Sequence, residues 1–166
     1  MRIAHLLAAA TLAAVAAGCA TVAPGETEDQ VVAKLGQPTH RYRDGTDHLL
    51  EYAYGPSGQY TYMARIGPDG RLVSYEQVLT TQKFATLKLG QATKEDVLKA
   101  VGAPSETSYL PRRDLEVWSY PYKEAGAWNS IMNIHFDRAG IVRELVNTPD
   151  LRYEPDGLFS FGLFGR

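Results

Sequence analysis

Sulfur chemistry is nearly absent from this chain. One cysteine stands among 166 residues, so no disulfide can form within a single copy. Histidine is scarce as well. His5 lies in an N-terminal apolar run, His40 and His48 are eight apart, and His135 is remote, so no H-x-x-x-H or H-E-x-x-H spacing exists to hold a metal. Charge of one sign is missing: 17 basic against 19 acidic side chains give −2, which leaves nucleic acid without an electrostatic footprint. After the N-terminal run no stretch is apolar enough to span a bilayer. No phosphate-binding loop is present, and Ser57, Ser74 and Ser119 lack the strand–turn–helix context of an activated nucleophile. The acidic pairs Glu28/Asp29 and Glu95/Asp96 fall in first helical turns, where they favour the helix dipole and call for no catalytic role. The residues therefore read as a non-enzyme with no metal and no cofactor.

What the chain does have is a repeat. Gly90 to Pro104 reads G-Q-A-T-K-E-D-V-L-K-A-V-G-A-P. Thr93 and Asp96 have capping-box spacing, Val97, Leu98 and Val101 make one apolar face, Gly102 can take a left-handed stop, and Pro104 forbids continuation. Gly25 to Pro38 says the same: Thr27 and Gln30 cap, Val31, Val32 and Leu35 form the face, and Gly36 and Pro38 stop the helix. From caps to prolines the offset is 66 throughout, which is the signature of a duplicated unit.

Strand patterns follow each helix. His48 to Tyr54 and Gln59 to Ile66 alternate, with Leu50, Tyr52, Tyr62, Ala64 and Ile66 on one set of faces, and Leu72 to Leu79 completes the unit. In the second copy Asp114 to Tyr122, Ser130 to Asp137 and the stretch from Val142 take these places. The offset grows from 66 to 70 inside the hairpin loop read as Pro121 to Asn129, where insertions are absorbed. The expected fold class is α+β: two tandem repeats, each a short helix followed by a three-stranded antiparallel meander. The repeats are placed at 25–80 and 90–148, joined by a linker at 81–89 and followed by an aromatic, glycine-rich tail at 149–166.

The N-terminus predicts export. Arg2 supplies the positive start, an apolar run of about 15 residues follows, and the run ends Ala16-Ala17-Gly18-Cys19. This resembles the lipobox of bacterial lipoprotein signal peptides. The resemblance implies that residues 1–18 are removed and that Cys19 carries a covalent lipid, palmitate among its acyl chains. A few acyl chains anchor a protein stably, since each buried CH2 contributes about 0.8 kcal/mol. Ala20, rather than Asp, at the second mature position resembles lipoproteins of the outer membrane. The tether at 19–24 spans at most about 20 Å, which keeps the first helix near the lipid surface.

The phrase L-x-L-G-x-x-T-x-x-x-V-x-x-x-V-G-x-P (Leu87 to Pro104), followed by aromatic strands and a D-x-x-G turn, resembles the SmpA/OmlA (BamE-like) outer-membrane lipoprotein family. That family has one such unit where this chain has two, and tandem units of similar fold occur in the β-lactamase inhibitory proteins. The resemblance implies a non-enzymatic scaffold on the periplasmic face of the outer membrane, anchored by lipid and binding other envelope proteins. The alternative it offers is a periplasmic inhibitor or ligand-binding module. Candidate partner-binding residues are Tyr122 and Trp128 of the long hairpin loop, and Met63, Arg65, Asn133 and His135 on the sheet faces turned from the helices. Phe159, Phe161 and Phe164 of the tail complete the set. His135, opposite Met132, Ile134 and Phe136, is expected exposed or half-exposed.

Overall fold

The computed structural model describes residues 21–55 and 58–153. Helix α1 (Glu28–Leu35) precedes strands β1 (His40–Asp44), β2 (Asp47–Tyr54), β3 (Tyr60–Ile66) and β4 (Leu72–Gln77). Helices α2 (Thr81–Phe84) and α3 (Lys94–Val101) lead into β5 (Glu106–Leu110), β6 (Leu115–Glu124), β7 (Trp128–Phe136) and β8 (Val142–Pro149). A 3-10 turn at Leu151–Tyr153 follows. The strands form two antiparallel sheets, β1-β2-β3-β4 (sheet 1) and β5-β6-β7-β8 (sheet 2).

This overturns the expected three-stranded meander. Among the described residues 47% lie in strands and 18% in helices, so the chain is mostly β, and each sheet has a fourth strand. The additional strands, β1 (HRYRD) and β5 (ETSYL), are edge strands whose side chains are mostly exposed. An edge strand that leaves most of its side chains in water carries no apolar alternation, so its sequence has no period-2 signal to read.

The duplication is written into the backbone. Glu28 N–H donates to Gly70 O and Lys94 N–H to Gly140 O, both at 3.1 Å. Leu72 N–H meets Glu26 O at 2.7 Å, and Val142 N–H meets Ala92 O at 2.8 Å. Both sheets break register at the same place, between Arg65 and Ile66 and between His135 and Phe136. Helices α1 and α3 each start in a capping box, Thr27 with Gln30 and Thr93 with Asp96. Each ends at a glycine, Gly36 at φ 87°, ψ −172° and Gly102 at φ 85°, ψ −169°. These are not the left-handed helical stops expected, because ψ is extended. They occupy a region that is essentially glycine's alone.

The second capping box sets a pH dependence. The Thr93 backbone N–H and then its hydroxyl, both donating to the Asp96 carboxylate, hold that carboxyl below the usual aspartate range. The resulting stabilisation is complete above the unfolded aspartate value near ~3.9 and is lost as pH falls through the lower folded value. Asp96→Asn is therefore expected to flatten the acid limb of stability, measured as urea midpoints from neutral pH down to about pH 2.

Alternation within the strands sends residues to opposite layers. Leu50, Tyr52, Ala64, Ile66 and Leu72 pack with Val31 of α1. Leu49, Met63 and Val78, from the other face of sheet 1, cluster with Tyr42, and a cleft on that face is walled by Asp96, Lys99 and Ala100 of α3. On its far side α3 gives Val97 and Val101 to the largest core. There they meet Phe84 of α2 and Trp118, Tyr120, Tyr122, Met132, Ile134 and Phe136 of sheet 2. The order of layers is α1, sheet 1, α2 with α3, sheet 2. Among the described residues sheet 1 is thus covered on both faces and sheet 2 on one.

Candidate functional site

The uncovered side of sheet 2 begins with what its strands project outward. Ser119 and Pro121 of β6, Ile131 and Asn133 of β7 and Thr148 of β8 floor a hollow of about 800 Å3. Ser105 and Glu106 stand on one side of it and Pro149 to Arg152 on the other. The polar atoms of this floor are already partnered. Ser119 Oγ donates to Asn133 Oδ1 at 2.8 Å, and Asn133 Nδ2 donates to Val146 O and Thr148 Oγ1, each at 3.4 Å. A floor that satisfies its own donors offers a ligand mainly the apolar surface of Pro121, Ile131 and Leu151.

A second hollow, about 540 Å3, adjoins the first through Thr148 and Pro149 and is bordered by Trp128 and Tyr153. It sits at the tip of the β6–β7 hairpin. Trp128 is 73% exposed there, and Leu151 and Tyr153 are exposed beside it. The tip is held rigidly. The Ser130 hydroxyl and then the Asn147 amide donate to Glu124 and hold its carboxyl below the usual glutamate range. The Asp150 backbone N–H donates to Asn129 O at 2.9 Å, and Gln59 of the first unit reaches Asn129 Oδ1 at 3.0 Å. Asp150, fully buried, is bound by Arg152, whose guanidinium keeps the carboxyl below the usual range. A large aromatic left in water on a braced hairpin is a contact surface.

The structure redistributes the residues singled out from the sequence. Trp128 is exposed at the tip and Asn133 lies in the floor of the first hollow. Tyr122 is not a loop residue. Strand β6 runs on to Glu124, and Tyr122 is wholly buried against Phe84 at 5.2 Å between rings. The loop itself is only Ala125 to Ala127, because both strands continue well beyond the apolar stretch that marks them. Met63 is 4% exposed, since the second unit lies over the face it occupies, and no partner can reach it there. Arg65 is half-buried and spent on Asp44 at 3.0 Å and Asp47 at 2.8 Å. His135 is buried at 8% exposure, not half-exposed, with Nδ1 3.2 Å from Glu144 Oε2. Cys19, Phe159, Phe161 and Phe164 lie outside the described residues. Sequence reading missed the Leu151–Tyr153 turn. Its only signal was Asp150 at the position where Thr80 caps α2, seventy residues earlier.

No family model matches the chain. None of the curated proteins matches it either. One solved structure is similar, the crystal structure of a DUF4309 family protein (YjgB) from Bacillus subtilis subsp. subtilis str. 168. It shares 18% identity over 74% of this chain and 77% of that one, at a TM-score of 0.30. At that TM-score the likeness carries no argument about fold or activity, and the SmpA/OmlA resemblance rests on its motif. Among the described residues no group of three or more His, Cys, Asp or Glu is placed to hold a metal ion. No helix among them is long and apolar enough to cross a membrane.

Proposed function

We propose that the chain is a non-enzymatic protein-binding module of the cell envelope, held at the periplasmic face of the outer membrane by a lipid on Cys19. It engages another envelope protein through the Trp128 hairpin tip. The exposure of Trp128 on a braced hairpin supports this reading above all else. Tryptophan is favoured at binding hot spots, where one ring commonly contributes 2 kcal/mol or more. The export-and-lipidation pattern ending at Cys19 supplies the compartment, and the SmpA/OmlA resemblance supplies the class of task, assembly or maintenance of the outer membrane.

The test is photocrosslinking in the intact cell, with a photoreactive side chain at position 128 and, as control, at exposed position 33 on α1. A discrete adduct to a membrane-associated envelope protein is expected from position 128 alone. Trp128→Ala should lower capture of that same protein at least about tenfold, which corresponds to ~1.4 kcal/mol, and leave stability within about 0.5 kcal/mol. An adduct to one soluble periplasmic enzyme would replace this reading by the inhibitor one. Cys19→Ala should move the protein from the membrane to the soluble fraction, and a wild-type chain already soluble and unacylated would end the anchoring claim.

A further inference from the structure

We propose that the hollow on the open face of sheet 2 is the docking site of the chain's own segment Leu158–Phe164. This goes beyond partner binding at the Trp128 tip and does not rest on it.

The molecule contains its own template. Thr61, Met63 and Val78 of sheet 1 correspond, seventy residues on, to Ile131, Asn133 and Thr148 of sheet 2. In the first unit that face is covered by chain that follows β4. Thr80 caps α2 by accepting from Lys83 N–H at 3.2 Å, Lys83 reaches Glu76 at 2.8 Å, and α3 then lies across Leu49 and Met63. In the second unit the chain leaves β8 by the same route. Asp150 stands where Thr80 stands, and the turn Leu151–Tyr153 takes the place of α2. Pro149 to Arg152 already form one wall of the hollow. The next segment, residues 154–166, carries Leu158, Phe159, Phe161, Leu163 and Phe164.

Reach and chemistry agree with this occupant. Leu158 lies five positions beyond Tyr153, a span of up to about 17 Å, whereas β6 to β8 are only about 10 Å apart. The floor's polar groups are bonded among themselves, so the face favours apolar side chains without a compensating charge. Met63 gives way to Asn133, but Thr61 gives way to Ile131 and the buried Glu51 to Val117, also buried. The face of sheet 2 thereby loses the carboxylate that receives a helix end in the first unit. It is suited to an aromatic segment rather than to a second copy of α3.

Engineered disulfides test this in the full chain carrying Cys19→Ala. Ile131→Cys paired with Phe161→Cys should oxidise within one molecule, at a rate independent of protein concentration. That rate should be at least about tenfold above the pair Ala33→Cys with Phe161→Cys, because a disulfide needs Cα atoms within about 7 Å. Equal rates for the two pairs would overturn the proposal. So would disulfides that form only between molecules, which would assign the face to a second copy. Chymotrypsin gives a second measurement on the otherwise wild-type chain. Cleavage at Phe159, Phe161 and Phe164 should accelerate at least about tenfold in Ile131→Asp while 21–153 stays intact. A wild-type tail already cut as fast as the free peptide would sink the idea without touching the reading of Trp128.

Discussion

Gly102→Ala is expected to destabilise the protein by about 4 kcal/mol, and Gly36→Ala, the same position of the first repeat, by about 2 kcal/mol. The two glycines have the same backbone geometry, with φ near +86° and ψ close to 180°, so both substitutions incur the strain of a conformation that side chains avoid. Their surroundings differ. A Cβ on Gly36 meets nothing within 4 Å, whereas one on Gly102 lies 2.9 Å from the Glu51 carboxyl carbon and 3.1 Å from Thr61 Cγ2. Glu51 cannot move aside cheaply because it is 1% exposed and its Oε2 accepts from both the Tyr42 hydroxyl and the Ala103 N–H. Denaturant midpoints for the two variants, at unchanged m-value, check the difference. Equal losses would mean that the joint between the units yields freely at this point.

Glu51→Ala is the second large effect, at about 3 kcal/mol. The Glu51 carboxylate accepts from the Tyr42 hydroxyl at 2.6 Å and from the Ala103 N–H at 3.0 Å, and His40 Nδ1 stands 3.5 Å away. Burial, and then the carboxylate beside it, pushes the Tyr42 hydroxyl well above the usual tyrosine range, so the phenol remains a donor across ordinary pH. Truncation to Ala leaves a hydroxyl and a backbone N–H without their acceptor and empties the space under Gly102. Glu51→Gln keeps an acceptor and should lose only about 1 kcal/mol. The two predictions are coupled. In the Glu51→Ala background, Gly102→Ala should lose most of its excess over Gly36→Ala, the contact with Thr61 Cγ2 remaining, a coupling of about 1–2 kcal/mol in a double-mutant cycle. Additive losses would show that the close approach of Gly102 to Glu51 carries no energy.

What could be read in advance follows from range. The caps were legible because Thr93 and Asp96 are three residues apart and the box is closed locally. Strands β2, β3, β6 and β7 were legible because their helix-facing residues recur at every second position, Leu50 and Tyr52, Ala64 and Ile66, Trp118 and Tyr120, Met132 and Ile134. Strands β1 and β5 were not, since each is paired along one side only and leaves most of its side chains exposed, Tyr42 being the one β1 ring that packs inward. Helix α2, with four residues, is too short to show a period. Glu51 escaped notice because a charge in an alternating strand reads as a solvent-facing position. Its partners lie nine and fifty-two residues away, and only packing brings them together. The same limit explains Met63. The alternation tells which face a side chain is on but not that α3 will be laid over it. Of the candidate site, Trp128 could be named as an aromatic of the long hairpin and Asn133 from the strand pattern, but the hollow could not, because one of its walls is made by the turn after β8.

The layers α1, sheet 1, α2 with α3, sheet 2 have a direction, since the second face of sheet 1 is covered by the helix of the next unit rather than by its own. Head-to-tail stacking of this kind has no built-in terminus. Among the described residues, the outward side of α1 and the open side of sheet 2 hold the places that α3 and sheet 1 fill in the contact between the units. Sheet 2, however, has Val117 where sheet 1 has Glu51, the acceptor for the Ala103 N–H at the end of α3. That one exchange withholds from a second copy the contact by which the two units are joined, and so works against end-to-end propagation.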